Sequence, residues 1–183
     1  MARILVIDAH PDPARALGHA LASAYADGAR AAGHETRLLR LADIAITPLR
    51  TATDFAVAPD SPAILAARDD IAWAEHIVLT FPLWLGSAPA HARAFFEHVA
   101  RAGFLADVSP QGWTPKLKGK SARLIVTMGM PALLYNVIFG GHGVKSIARS
   151  ILGFAGVAPI RTTLIGGVEA PAETQAQRID AIR

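Results

Sequence analysis

The feature that most constrains this chain is a regular alternation of short aliphatic runs with longer segments of helical periodicity. The aliphatic runs lie at 4–7, 36–41, 76–80, 122–127 and 159–165. The segments predicted as helices lie at 15–32, at 62–74, around 92–99, at 142–153 and at 172–183. Strands that are apolar throughout and alternate with helices predict a parallel sheet with helices on both faces.

The number of these units predicts the order of the sheet. Five strand–helix units favour an α/β fold of the flavodoxin-like type, a doubly wound five-stranded parallel sheet in the order 2-1-3-4-5. The stretches 42–61 and 103–116 are predicted as long irregular loops because prolines interrupt both of them. The sequence contains no internal repeat, low-complexity segment or linker, so we expect residues 1–183 to form a single domain.

Composition limits the chemistry. Apolar residues make up 52% of the chain and charged residues 18%, which allows a large core and some apolar surface for a partner. The chain has no cysteine, which excludes disulfides and thiol nucleophiles, so any redox chemistry requires a bound cofactor. The net charge of +3 is too small to indicate a nucleic-acid partner, but it suits an anionic cofactor.

Several familiar sequence patterns are absent. There is no signal-peptide pattern and no apolar run near the ~18 residues of a membrane span, so we expect a cytoplasmic protein. There is no GxGxxG, HExxH or GxSxG motif, and we predict no metal site. The GKS at 119–121 lacks the earlier glycine of a phosphate-binding P-loop and precedes a strand instead of following one.

Three unusual segments follow strands one, three and four, at the sheet edge where ligands of such folds bind. The first, at 9–21, enters a helix whose free N–H groups and positive dipole end can hold a phosphate. His10 and Arg15 would add charge-assisted hydrogen bonds to that phosphate. The alternative is an ordinary proline-rich turn between a strand and a helix.

The other two segments suit a flat ligand. Residues 81–90 are apolar where a polar turn is expected, so a flavin ring would cover them, with backbone N–H groups of the loop reaching its N5 and O4 edge. The alternative is a buried crossover loop. In the third segment Gly129 permits close approach of the backbone to a ligand. Tyr135 and His142 are candidate proton donors, or else ordinary core or surface residues.

Together these segments resemble the NAD(P)H:quinone oxidoreductase family of flavodoxin-like flavoproteins. The matching stretches are 4–21, 81–104 and 119–157, and FPLWLGSAPA followed by a helix and RAGF is the most specific of them. The resemblance implies a homodimer that binds FMN or FAD without a covalent bond and passes hydride from NAD(P)H to a quinone. FMN is preferred because we find no extra segment for the adenosine half of FAD.

The resemblance also implies the roles of particular residues. The residues expected at the flavin phosphate are His10, Arg15, Ala16, Leu17 and Gly18. Those expected along the flavin ring and its pyrimidine edge are Phe81, Pro82, Leu83, Trp84, Leu85, Thr127, Met128 and Gly129. Those expected to stabilise charge on the flavin during hydride transfer are Gly129, Tyr135 and His142. Phe104 and Trp113 are expected to line the acceptor pocket, as a wall supplied by the neighbouring chain.

One departure from the family and two other functions remain open. The family usually has Ser, then an aromatic residue or Leu, then Asn where this chain has Ala16, Leu17 and Gly18, so two side-chain phosphate ligands are missing and we expect weak flavin retention. The alternative functions are an ancillary flavin-binding subunit of a potassium-efflux transporter and a one-electron carrier. The positive net charge counts against the carrier.

Overall fold

The structure, a computed structural model, describes residues 1–14 and 16–183. Its strands are β1 (Arg3–Asp8), β2 (Glu35–Arg40), β3 (His76–Pro82), β4 (Ala106–Ser109), β5 (Gly112–Pro115), β6 (Ser121–Thr127) and β7 (Ile160–Ile165). Five of them form one parallel sheet in the order β2-β1-β3-β6-β7. This confirms the predicted flavodoxin-like order, with β6 and β7 as the fourth and fifth strands of the sheet.

Helices cover both faces of this sheet. They are α1 (Leu17–Ala31), α2 (Ala52–Ala56), α3 (Pro62–Trp73), α4 (Ala90–Ala100), α5 (Ala132–Phe139), α6 (His142–Lys145) and α7 (Ala172–Ile182), with 3-10 turns at Leu41–Asp43 and Arg101–Gly103 and a π-helix at Ser146–Gly153. Along β1, Ile4 and Val6 pack in the cluster that holds α1 and α7. Leu5 and Ile7 pack in the larger cluster under α3 and α4. The sheet is therefore apolar on both faces, as its continuous aliphatic strands predict.

The register of the strands brings their carboxyl ends to one edge. Asp8 at the end of β1 pairs with Thr80 of β3, and Thr127 at the end of β6 pairs with Pro82 of β3 and Ile165 of β7. The strand order reverses between β1 and β3, so this edge contains the switch point where such sheets bind ligands.

Three regions differ from the sequence prediction. The stretch 103–116 is not irregular, because β4 and β5 form an antiparallel hairpin around Pro110. The loop 42–61 contains the short helix α2, which Thr51 and Asp54 begin with reciprocal side-chain caps. Helix α5 was not predicted, and the helix predicted at 142–153 is α6 followed by a π-helix.

Within residues 1–14 and 16–183, no helix is both long enough and apolar enough to cross a bilayer.

Candidate functional site

A cavity of about 390 Å³ opens at the switch-point edge of the sheet. Its walls come from the loops after β1, β3, β6 and β7 and from the start of α1. The lining residues are His10, Ala16, Leu17, Gly18, Pro82, Leu83, Trp84, Thr127, Met128, Gly129, Val168 and Gln175. We call it the switch-point cavity. Its volume lies in the usual range for small-molecule sites, which are about 300–1,000 Å³.

One end of the cavity is the amino-terminal end of α1. Ala16 occupies the N-cap position and has no side chain that could cap the helix. As in any α-helix, the N–H groups of the first turn, Leu17, Gly18 and His19, have no carbonyl partner within the helix. The first turn also carries no acidic residue that could occupy them. Exposed N–H groups and a positive dipole end make this wall suited to a phosphate or another anion.

The opposite wall is a tight turn at residues 84–87. Trp84 and Ser87 exchange backbone hydrogen bonds of 2.8 and 3.0 Å, and the φ angles of Leu85 and Gly86 between them are 48° and 75°. Positive φ at both central positions is the geometry of a two-residue hairpin turn. Within the cavity, the edge of the His10 ring faces the indole of Trp84, with 6.1 Å between the ring centroids.

Two of the backbone donors expected from this loop are already engaged. The N–H of Leu83 donates to the Thr127 carbonyl at 2.7 Å, and the N–H of Trp84 donates to the Ser87 carbonyl. These two donors are therefore engaged within the chain, and the expectation that N–H groups of the loop reach a flavin edge stays a prediction for the remaining groups of the loop. The loop also supplies apolar side chains.

Gly129 leaves the space that a ligand would need. No heavy atom of the described residues, apart from its chain neighbours, lies within 4 Å of the position that a Cβ on Gly129 would take. The wall of the cavity is therefore open beside the Gly129 backbone, where a planar ring can approach closely.

Two of the residues expected along the flavin ring lie elsewhere. Phe81 is buried in the core cluster under α4, because the alternation of side chains along β3 places it on the face of the sheet that α3 and α4 cover. Leu85 is fully exposed at the tip of the turn and does not line the cavity.

Tyr135 does not line the cavity either. Its ring is completely buried, and its hydroxyl donates to the Gly86 carbonyl at 3.2 Å and accepts from the Val144 N–H at 3.3 Å. These bonds tie α5 and α6 to the turn at 84–87. The position of Tyr135 corrects the prediction that it donates a proton: its hydroxyl positions the turn. His142 is exposed at the start of α6, outside the cavity.

The two expected acceptor-pocket residues are separate from the cavity and from each other. Phe104 follows α4, away from the switch-point edge, and is half-buried beneath the Arg68 guanidinium, 4.8 Å from the ring centroid. It packs against Arg68 of its own chain, and its assignment to an acceptor wall from a second copy stays a prediction. Trp113 is 58% exposed on the β4–β5 hairpin and stacks on Phe154 with 5.9 Å between centroids.

The sequence prediction also missed residues. Val168 and Gln175 line the cavity, and the Gln175 amide donates to the carbonyls of Val168 and Ala170, which joins α7 to the loop after β7. Because β7 ends at the same sheet edge, this loop could have been included from topology alone. Arg15 lies outside the described residues. Within those residues, no group of three or more His, Asp or Glu side chains could hold a metal ion.

Comparison with known proteins supports this description. The profile of the Flavodoxin_2 family, described as a flavodoxin-like fold, matches residues 2–183. An FMN-dependent NADH:quinone oxidoreductase of Bacillus subtilis (strain 168) is 30% identical over 113 residues, which are 58% of this chain and 50% of that protein. A protein of the same description from Erythrobacter litoralis (strain HTCC2594) is 31% identical over 106 residues, 56% of this chain and 52% of that protein. The chain thus spans about half the length of the curated relatives it matches.

A solved structure gives the same result for the fold. A protein from Klebsiella pneumoniae, named as a candidate quinone reductase, superposes on 100% of this chain and 82% of its own, with a TM-score of 0.83 and 24% identity. The family resemblance predicted from the three segments is confirmed. Because the family profile covers nearly the whole sequence, this chain belongs to the Flavodoxin_2 family, whose members share the flavodoxin-like fold.

Proposed function

We propose that this protein is a cytoplasmic flavin-dependent NAD(P)H:quinone oxidoreductase that binds FMN in the switch-point cavity. The observation that carries the proposal is the cavity itself. Of the twelve residues assigned to a flavin that the structure describes, all but Phe81 and Leu85 line it. The two relatives named FMN-dependent NADH:quinone oxidoreductases support the choice of cofactor and reaction.

The residues present fit a flavin mononucleotide. The uncapped start of α1 suits its phosphate, and the open space at Gly129 suits its ring. Leu83, Trp84 and Met128 would cover the ring with apolar surface and exclude water from it. When bound, the flavin supplies the redox chemistry, since it accepts a hydride from a nicotinamide and passes two electrons to a quinone.

The protein would contribute orientation and electrostatics. The N–H groups at the start of α1 would fix the phosphate end and so set the position of the ring. The backbone at Gly129 would lie against the edge of the ring that gains negative charge. Trp84, which is half-exposed at the mouth, leaves room for the nicotinamide and then the quinone to occupy the same open side in turn.

We also propose that the protein is a homodimer in which a second copy covers the mouth of the cavity. Helix α5 turns its apolar side to solvent, and Leu133, Val137 and Ile138 are 77%, 74% and 60% exposed. The Tyr135–Gly86 hydrogen bond holds this helix beside the turn at 84–87, so its outward face adjoins the cavity. An apolar face of this kind beside a binding site favours a partner surface. Trp113 remains the candidate for an aromatic wall from the second copy.

Anaerobic reduction tests the proposed activity. Protein reconstituted with FMN should lose its flavin absorbance when NADH or NADPH is added and regain it when a soluble quinone follows. If neither nucleotide reduces the bound flavin, the oxidoreductase proposal fails.

A cavity-blocking variant tests the location. Gly129→Val has room to fold because the space beside Gly129 is open, but its side chain would occupy the cavity. We expect an unchanged melting temperature and an FMN affinity at least about tenfold weaker. Unchanged affinity would mean that the flavin binds elsewhere.

A further inference from the structure

A pair of side chains, the buried Asp8 and the half-buried His19, lies beside the phosphate end of the switch-point cavity. Asp8, at the end of β1, is 2% exposed, and its Oδ2 lies 2.5 Å from Nδ1 of His19 in the first turn of α1. Both residues also line an adjoining cavity of about 630 Å³ that shares Ala16, Leu17 and Gln175 with the switch-point cavity. The proposed chemistry of the flavin does not use either side chain.

His19 is bonded on both sides of its ring. Its Nε2 lies 2.9 Å from the backbone carbonyl of Asp12, opposite the contact with Asp8. The ring of His19 therefore bridges the Asp8 carboxyl group and the Asp12 carbonyl. Asp8 is satisfied as an acceptor, because its Oδ1 faces the His10 N–H at 3.3 Å and the Thr80 hydroxyl at 3.5 Å.

The pair therefore joins three parts of the site. Asp8 belongs to the sheet, His19 to the first turn of α1, and the Asp12 carbonyl to the loop at 10–14 that connects them. The ring of His10, in the same loop, lies 5.1 Å from that of His19 between centroids. Because Asp8 is buried, its hydrogen bond to His19 holds the loop in addition to the backbone contacts.

We propose that His19, held by Asp8, is a positioning residue that orients the loop at 10–14 and the start of α1 to bind the phosphate monoester of the flavin. Ala16 and Gly18 offer no side-chain donor, so the backbone N–H groups at the start of α1 would supply much of the phosphate binding, and their direction depends on how the loop is held. The proposal rests on the proposed function, since it names the group that FMN would present to this end of the cavity.

The test compares FMN with riboflavin, which has the same ring and no phosphate. His19→Gln should bind FMN about tenfold more weakly while its riboflavin affinity stays within about twofold, measured by quenching of flavin fluorescence. His34→Gln is the matched control, because His34 accepts the Ala2 N–H at the start of β2, at the end of the sheet away from the cavity. Equal losses for both ligands, or an unchanged FMN affinity, would overturn the positioning role.

Spectroscopy of the unaltered protein keeps the proposal testable if the variant does not fold. The nitrogen NMR signals of the His19 ring should move when FMN is added but not when riboflavin is added. A His19 ring that is insensitive to FMN contradicts the proposal. If the unaltered protein binds neither flavin, the proposed function itself fails; if it prefers FMN and His19→Gln keeps that preference, only this inference fails.

Discussion

Leu85 has a φ of 48°, a left-handed conformation in which a branched side chain is strained. Its side chain is fully exposed, so replacing it loses no burial within the chain. Asn before Gly is the favoured pair for a turn with two positive φ angles. We expect Leu85→Asn to raise the free energy of unfolding by about 1 kcal/mol, measured by chemical denaturation. Leu85→Ala lacks the short amide side chain that lets asparagine adopt the left-handed region at little cost, so it should give no such gain. Equal stabilisation by both variants would contradict this explanation.

Ala16 is the second residue whose replacement should improve the protein. Its φ of −139° and ψ of 154° suit a capping residue, and serine at this position can satisfy an N–H of the first turn. We expect Ala16→Ser to raise stability by about 1 kcal/mol. We also expect tighter FMN binding, because the added hydroxyl restores a side-chain ligand for the phosphate. Thermal melts and a flavin titration measure the two effects separately, and unchanged FMN affinity would mean that Ala16 does not face the phosphate.

Sequence could identify the edge of the sheet where the site lies, but not the direction of every side chain in it. Residues that line the cavity follow strand ends, and strand ends can be located from aliphatic runs. Tyr135 and Phe104 were assigned by residue type, yet tertiary contacts decide where each points. The hydroxyl of Tyr135 donates to the Gly86 carbonyl, and the ring of Phe104 packs against the Arg68 guanidinium. His19 was missed because its role depends on Asp8 and Asp12, which only the folded chain brings to it.

Among the elements, α6 and the turn at 84–87 are packed without space between them. A Cβ added to Gly143 would lie 2.0 Å from the Gly86 carbonyl oxygen and 2.6 Å from the Ser87 Cα. Gly143→Ala should therefore push the turn away and lower the free energy of unfolding by about 1–3 kcal/mol. The matched control is Gly18→Ala in α1, where the nearest atom to the added methyl is 3.7 Å away and helix propensity favours alanine. Equal stabilities of the two variants would contradict this account of the packing.

His76, the first residue of β3, should make the free energy of unfolding depend on pH. Burial, with the nearby charges of Arg123 and Arg161, lowers the pKa of His76 below its ordinary value of 6.5. As the pH falls, the unfolded chain binds a proton at His76 more readily than the folded chain does. The contribution of His76 to the free energy of unfolding is therefore complete above about pH 6.5 and is lost as the pH falls below that value. Denaturation between about pH 7.5 and 5.5 should show a loss of up to about 1.4 kcal/mol per pH unit that His76→Gln removes. Identical pH slopes for the two proteins would contradict this.

At the scale of elements, the spacing of apolar residues predicts the helices and strands that are buried but not those that are exposed. The apolar spacing of α4 and the aliphatic strands of the sheet follow from burial, and the structure contains them at nearly the predicted bounds. The hairpin of β4 and β5 is mostly exposed, so its sequence shows no alternation that could have identified it. Helix α5 was missed because nearly all of its residues are apolar and give no contrast between its two sides.

At the scale of the whole molecule, the proposed dimer would explain why the outward face of α5 is apolar. The side chains of Leu133 and Val137 have little contact within their own chain, so their loss should barely affect the stability of a single copy. A second copy that covers them would bury both, and each amide introduced there would lose its hydration without a partner.

We therefore expect the double variant Leu133→Gln, Val137→Gln to shift the protein from dimer to monomer in light scattering at micromolar concentration. Its circular dichroism should remain that of the unaltered protein. Leu65→Gln on α3 is the control, because Leu65 is also exposed but lies on another element, and this variant should stay dimeric. A double variant that remains a dimer would move the interface away from α5, towards the hairpin that carries Trp113. An unaltered protein that is a monomer with full activity would show that one chain holds the complete site.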